Sequence, residues 1–278
     1  MDALDLGPQL RLWSRPPVLA LLRDRLAQYE HTGPEVAFMG SGDFHHVTVL
    51  LIERAVDGYA REPVTVVHFD NHPDWVRFKN GLHCGSWVSH AARQPVVSRV
   101  ITIGACSKDI AYPERKRADL ALIEENRAVL FAYRNPAGGG TTSLRGRKWP
   151  TIEDLSDTDI VGLVANAIET EAIYVTIDKD VLRSSDAVTN WDQGNMALGS
   201  LIQILQSICC RFRVVGADVV GDWSQKDYSG GLYASLLKRG EALLDQPWST
   251  PSPAAANDIN EGANLALLNL FSGLEVAS

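Results

Sequence analysis

The chain has 278 residues, 45% of them hydrophobic, which is enough to bury a substantial core. Its formal net charge of -8 argues against a nucleic-acid or membrane-surface role, because binding phosphate calls for clustered Lys and Arg, and basic runs such as Arg145-Gly146-Arg147-Lys148 are short. No apolar run approaches the ~20 residues of a membrane span, and Met1-Asp2-Ala3-Leu4-Asp5 lacks the basic-then-apolar layout of a signal peptide.

Four cysteines show no Cys-x-x-Cys spacing, and Cys209 and Cys210 are adjacent, so reduced thiols and a cytoplasmic location are expected. In chain order, the apolar patterning predicts a strand over 36–39, a helix over 47–59, a strand over 64–69, a helix over 87–93 and strands over 100–103 and 128–133. A helix over 159–169, a strand over 173–177, a helix over 198–209, a strand over 213–217, a helix over 233–244 and a last helix near 263–271 follow. Short strands alternating with helices predict a three-layer α/β/α fold with a mainly parallel central sheet. The glycine-rich stretch 135–143 reads as a surface loop or a lid, and 247–253 as a second loop. Neither separates two cores, so one domain over 1–278 is expected.

Polar residues concentrate where the predicted strands stop: Asp43 and His45 after the first, Asp70 to Asp74 after the second, Asp178 and Asp180 after the fifth, Asp218 and Asp222 after the last. In open parallel sheets, ligands bind beyond the carboxyl ends of the strands, so these groups can share one crevice. Side chains two apart on extended backbone project to one side. Asp70, His72 and Asp74 therefore converge, as do Asp178 and Asp180, and uncompensated carboxylates beside a buried strand are costly without a cation or donors. Two such clusters predict two divalent metal ions, and the histidines point to Mn²⁺, Fe²⁺ or Zn²⁺ rather than Mg²⁺ or Ca²⁺ alone.

Three motifs resemble those of the arginase/agmatinase (ureohydrolase) superfamily, whose fold also includes deacetylase-like enzymes. Gly40-Ser41-Gly42-Asp43-Phe44-His45-His46 is similar to the family's Gly-Gly-Asp-His-Ser turn with one residue inserted; Asp70-Asn71-His72-Pro73-Asp74 is similar to Asp-Ala-His-x-Asp, and Thr176-Ile177-Asp178-Lys179-Asp180 to Ser-x-Asp-x-Asp. The resemblance covers about residues 35 to 225 and implies a small-molecule substrate, two manganese ions and a homo-oligomer as the assembly to test. It implies that His45, Asp70, Asp74 and Asp178 hold one ion and Asp70, His72, Asp178 and Asp180 the other, with a bridging hydroxide as nucleophile. The inserted Phe44 leaves His46 as the alternative to His45. Asn80-Gly81-Leu82-His83-Cys84-Gly85 resembles the family's Asn-x-His-Gly segment, which implies proton transfer by His83, a role suited to imidazole near pH 7. His83 and Asp74 are thus the expected catalytic residues, and Cys84 reads as a packed small residue.

Departures from the family bear on substrate. Arg183 stands where guanidine-cleaving members carry a third acid, and Gly221 stands where they carry a guanidinium-binding glutamate. Asp222, one residue later, is the alternative carboxylate, and Asn190, in the polar loop 189–196, is the other expected substrate contact. Without that carboxylate a guanidinium loses a charge-assisted contact, so arginine and agmatine are expected to be poor substrates. The leading reading is a binuclear hydrolase of linear C–N bonds. A deacetylase-like amidohydrolase, a metallophosphoesterase and a metal-bound, non-catalytic binding protein are the alternatives.

Overall fold

In the computed structural model, which describes residues 3–31, 33–60, 62–228, 232–247 and 251–275, six strands pair in parallel. They are β1 (Glu35–Gly40), β2 (Val64–Phe69), β3 (Val97–Ile103), β4 (Ala128–Phe131), β5 (Ala172–Asp178) and β6 (Arg213–Val220), in the order β1-β6-β5-β2-β3-β4. The chain runs outward from β2 through β3 to β4, then returns to β5 on the other side of β2. Connections leaving the carboxyl ends of β2 and β5 therefore diverge, which leaves a crevice between them.

The segments before, between and after the strands form helices α1 (Pro16–Ala27), α2 (Thr48–Ala55), α3 (Trp87–Ala91), α4 (Asp157–Ala167), α5 (Leu198–Cys209), α6 (Leu232–Asp245) and α7 (Pro253–Glu275). β2 and β5 are buried along their whole length, as their near-continuous apolar runs require. Alternation decides which layer each side chain meets. Val67, Phe69, Val175 and Ile177 pack with residues of α4, α5 and α7, whereas Val64, Val66 and Tyr174 pack with residues of α2 and α3. His68, Asp70, Thr176 and Asp178 share the parity of the second set, and the pairing Phe69↔Ile177 brings the two polar strand ends level.

The expected strands and helices all occur, with bounds shifted by a few residues for most. α1 has no counterpart among them, because its leucines form no clean stripe and only Leu22 is buried. α7 begins at Pro253 rather than near 263. Its polar early turns are held by buried Asn260, whose amide bonds both backbone groups of Val188 at 2.9 and 2.7 Å. The stretch 135–143 leads into a hairpin of Thr141–Leu144 with Arg147–Pro150, turned at Arg145 and Gly146, both with positive φ. It lines no part of the crevice and is a surface loop. The loop expected over 247–253 lies partly outside the described residues.

Candidate metal centre

β1 ends in a tight turn, and a short 3₁₀ segment, Gly42–Val47, brings Asp43, His45 and His46 to the edge of the sheet. Two glycines make room for the Asp178 carboxylate. A Cβ on Gly42 would lie 2.6 Å from Asp178 Oδ2, and one on Gly221, where φ is +95°, would run into Asp178 Oδ1 and the backbone nitrogen of Lys179. A glutamate at position 221 therefore has no room in this fold. Gly221→Ala is expected to cost about 1–3 kcal/mol through backbone strain and this clash. Urea unfolding of the variant beside the parent measures it, and equal stability would show that the backbone at 221 and 179 relaxes without cost.

His45 shows why the cluster calls for a cation. Thr176 Oγ1 donates to Asp218 Oδ1 (2.7 Å), so the same oxygen accepts the His45 Nε2–H at 2.9 Å. Nδ1 of His45 is then the lone-pair nitrogen, buried and without a hydrogen-bond partner among the described residues. It faces Asp70 Oδ2 at 3.2 Å, Asp74 Oδ2 at 3.3 Å and Asp178 Oδ2 at 3.5 Å. A lone pair facing three carboxylates in a dry site is repulsive unless a proton or a metal ion stands between them. Burial alone would push the imidazole down, but Asp70 and Asp74 outweigh it and hold its pKa well above the ordinary histidine value.

His72 repeats the pattern beside the first cluster. Its Nδ1 lies 2.8 Å from Asp180 Oδ2 and 3.5 Å from Asp70 Oδ1, and its Nε2 lies 2.9 Å from Asp192 Oδ1. Burial opposes protonation of His72, yet the Asp180 charge and bond raise its pKa well above the usual value. Among the described residues, two groups have metal-ligand spacing, His45–His68–Asp70–Asp74 and Asp70–His72–Asp180, and they share Asp70. Burial and then the neighbouring Asp70 charge push the Asp178 carboxyl up to about 7, and burial with Asp178 raises Asp180 well above the carboxylate range. Asp74 sits in the left-handed region (φ 48°) and accepts the Trp87 indole N–H at 2.8 Å, a strained backbone of the kind that clusters at working sites.

Around these groups opens a crevice of about 820 Å³, lined by Asp70, His72, Asp74, Asp178 and Asp180, by Trp191 and Asp192, and by His83 and Glu241. His83 Nε2 lies 2.5 Å from Glu241 Oε1, and its Nδ1 accepts the Gly85 backbone N–H at 2.8 Å. Cys84 is buried, with its thiol pKa pushed well up by burial, as expected of a packed residue. His46 turns the other way from His45: its Nε2 meets Ser14 Oγ at 2.7 Å, and burial drives its pKa well below the usual value.

Asn190 and Asp222 lie outside this lining. The Asn190 amide is spent on Ser41 Oγ (3.1 Å) and on the backbone of Ser224 (2.9 and 3.0 Å). Asp222 pairs with buried Lys179, which points to the opposite face from the two acids beside it, and also with Asn264 of α7. Arg183 is exposed and paired with Asp186 at 3.0 Å, so it places no charge at the crevice. The basic groups that do line the crevice are Lys108, Arg115, Lys116 and Arg117.

Four further residues join the site. His68 contacts Asp70 Oδ2 at 2.8 Å and shares the parity of Asp70, so the alternation already contained it. Asp192 lies in the polar loop 189–196. Asp218 is fully buried inside β6, held by Thr48, Tyr174 and Thr176, and orients His45 through the last of these. Glu241 carries no signal in the sequence.

The Arginase family model matches residues 4–231. An uncharacterised protein of Thermotoga maritima is 25% identical over 205 residues, covering 73% of this chain and 65% of that protein, so the chain spans less than two thirds of that relative. A hypothetical agmatinase from Burkholderia thailandensis superposes with a TM-score of 0.58 at 15% identity, over 94% of this chain and 66% of its own. Proclavaminate amidino hydrolase from Streptomyces clavuligerus superposes at 0.52 with 18% identity, over 82% of this chain and 68% of its own. These superpositions are likenesses of fold. The family match, over most of the chain, makes this protein a member of the arginase family.

Proposed function

We propose that the crevice binds two divalent metal ions and hydrolyses a linear C–N bond in a guanidino, amidino or amide compound. The observation that carries the reading is the lone pair of His45 Nδ1 directed at Asp70, Asp74 and Asp178, an arrangement a divalent cation resolves. Two imidazoles and four carboxylates suit manganese, with iron(II) or zinc as alternatives. His45, Asp70, Asp74 and Asp178 would hold one ion and Asp70, His72, Asp178 and Asp180 the other. Divalent ions held there lower the pKa of water and polarise a neighbouring C–N group. The surrounding residues hold the ligands in place: Asp218 through Thr176 orients His45, Asp192 orients His72, and Trp87 orients Asp74. Trp191 supplies an aromatic wall, and the basic side chains at the mouth suit a substrate with an anionic end.

Elemental analysis after manganese reconstitution, followed by a panel of guanidino, formimino and acetylated compounds, tests the reading. Two equivalents of metal with turnover of a guanidino or formimino compound is the expected result. Turnover confined to acetylated amines would favour the deacetylase-like alternative, and metal without any turnover the binding protein. Arginine and agmatine are expected to be poor substrates, since neither position 221 nor Asp222 presents a carboxylate to the crevice. The missing charge-assisted contact is worth roughly 1.5–3 kcal/mol, about ten- to a hundredfold in affinity. Arginine cleavage at kcat/KM above ~10⁴ M⁻¹s⁻¹ would refute this part. No helix among the described residues is long and apolar enough to cross a membrane, and all four cysteines are free. A cytoplasmic location is part of the proposal, and the free cysteines support it.

A further inference from the structure

We propose that the segment from Ser107 to Arg117 forms an anion-binding subsite of the crevice that takes the far end of the substrate, and that this end is purely anionic rather than zwitterionic. The assignment rests on the hydrolytic reading above and narrows its substrate class to guanidino, amidino or amide compounds with an anionic tail and no ammonium group.

The backbone fixes this segment to the candidate metal ligands at both of its ends. At the start, the Ser107 N–H donates to the carbonyl of Asn71 at 3.2 Å, between Asp70 and His72. At the far end, the Arg77 N–H donates to the Arg117 carbonyl at 3.0 Å and the Asp119 N–H to the Trp75 carbonyl at 2.7 Å, directly after Asp74. Lys116 anchors the stretch between them, through Asp109 at 3.6 Å and Asp245 of α6 at 3.2 Å. It also lies within electrostatic reach of Asp192, whose carboxylate meets His72 Nε2 at 2.9 Å. The segment is therefore one wall of the same crevice.

Charge decides what that wall can hold. Asp109 and Asp245 are taken by Lys116, Asp192 by His72 and Glu241 by His83, so every carboxylate lining the crevice outside the candidate metal ligands already has a partner. Lys108, Arg115 and Arg117 line it too, and among the described residues they meet no carboxylate. Arg115 lays its guanidinium over the Tyr112 ring at 4.5 Å, which orders the group without neutralising it. Ser107 is 4% exposed, and its hydroxyl has no hydrogen-bond partner although the residue lines the crevice. A buried hydroxyl left in that state calls for a ligand oxygen. An anionic tail accepts from the hydroxyl and the guanidinium groups together. An ammonium meets three like charges and no unpaired acid.

Calorimetry on manganese-loaded protein reads the subsite without turnover. The probes are the straight-chain dicarboxylates from malonate to adipate, each beside the monocarboxylate of equal length, so that one carboxylate serves the metal side and the other the arginines. The dicarboxylate that spans the crevice should bind on the order of tenfold more tightly than its monocarboxylate, because exposed ion pairs are worth about two- to fivefold each and several act together. Arg115→Gln combined with Arg117→Gln should remove that preference with metal content unchanged. Ser107→Ala should weaken the same dicarboxylate without lowering stability to urea, since its hydroxyl bonds nothing in the free protein. Three compounds with one guanidine head give the sign of the tail: guanidinovalerate, which is arginine without its amino group, should bind more tightly than arginine, and arginine more tightly than agmatine. A dicarboxylate preference absent at every length, one that survives in the double variant, or agmatine as the tightest ligand would overturn the proposal. A dicarboxylate preference that the double variant removes, in a protein that turns over nothing, upholds the subsite and defeats the hydrolytic reading alone.

Discussion

Asp178→Ala is expected to lose both metal ions and with them the activity. Asp178 lies beside both clusters, although Asp70 is the residue the two groups share: its Oδ2 is 3.5 Å from His45 Nδ1, and its Oδ1 accepts the Asp180 N–H at 3.0 Å, so the same carboxylate positions Asp180. Losing it should cost more than the ~10- to 100-fold in metal affinity typical when a residue behind a ligand is changed. Metal-stripped protein should respond in the opposite sense, because the wild-type carboxylate is buried and repelled by Asp70 and Asp74. Removing it relieves that repulsion, so stripped Asp178→Ala should be at least as stable as stripped wild type. Elemental analysis and urea unfolding, with and without metal, check both halves. A variant that still binds two ions would remove Asp178 from the shared position.

Stripping the metal should also make stability fall as pH rises, the reverse of ordinary acid denaturation. Burial and then Asp70 raise the Asp178 carboxyl to about 7, and Asp74 and Asp180 are raised for similar reasons. A carboxyl whose folded pKa exceeds its unfolded value binds protons more tightly in the folded state. Its contribution is fully present below the unfolded pKa and is lost as pH climbs through the folded one. For Asp178 that window runs from 3.8 to about 7. His45 and His72, raised by their carboxylates against burial, act in the same direction. Asp70, held well below the carboxylate range against burial by His45 and His68, acts in the opposite one. The net effect should be on the order of a few kcal/mol between pH 5 and pH 8, since one pKa unit is worth about 1.4 kcal/mol. Manganese at about a hundred times its dissociation constant should return about 2.7 kcal/mol at the upper end. Unfolding midpoints of stripped and loaded protein across that range measure it, and a stripped protein whose stability rises toward pH 8 would contradict the electrostatics described here.

Much of this site was legible because acidic and imidazole residues recur two apart after apolar runs, at 70, 72 and 74 and at 178 and 180. Strand alternation accounts for Asp178 and for Asp70 directly after β2, whereas His72, Asp74 with φ 48° and Asp180 in the 3₁₀ turn Lys179–Val181 are brought in by the turns that follow the strands, which alternation does not describe. The apolar runs themselves specify buried parallel strands, and hence a crevice at their carboxyl ends. Even His68 was implicit in that parity. Its role became visible only when β3 placed Thr102 3.0 Å from the other ring nitrogen.

What lay beyond the sequence were the choices that packing makes between chemically equivalent residues. Of two adjacent imidazoles, His45 meets the carboxylates because Thr176 and Asp218 hold its far nitrogen, while Ser14 draws His46 away. Of the acids near the end of β6, Asp218 is buried behind the site, and Asp222 is taken by Lys179 and Asn264. Gly221 stays a glycine because Asp178 occupies the space a side chain would need. Glu241 meets His83 across 158 residues of chain, and local periodicity holds no record of such a contact. It exists because α6 packs where Trp13, Tyr228 and Ala242 form a small apolar cluster, and that packing turns both acids of the helix, Glu241 and Asp245, toward the crevice.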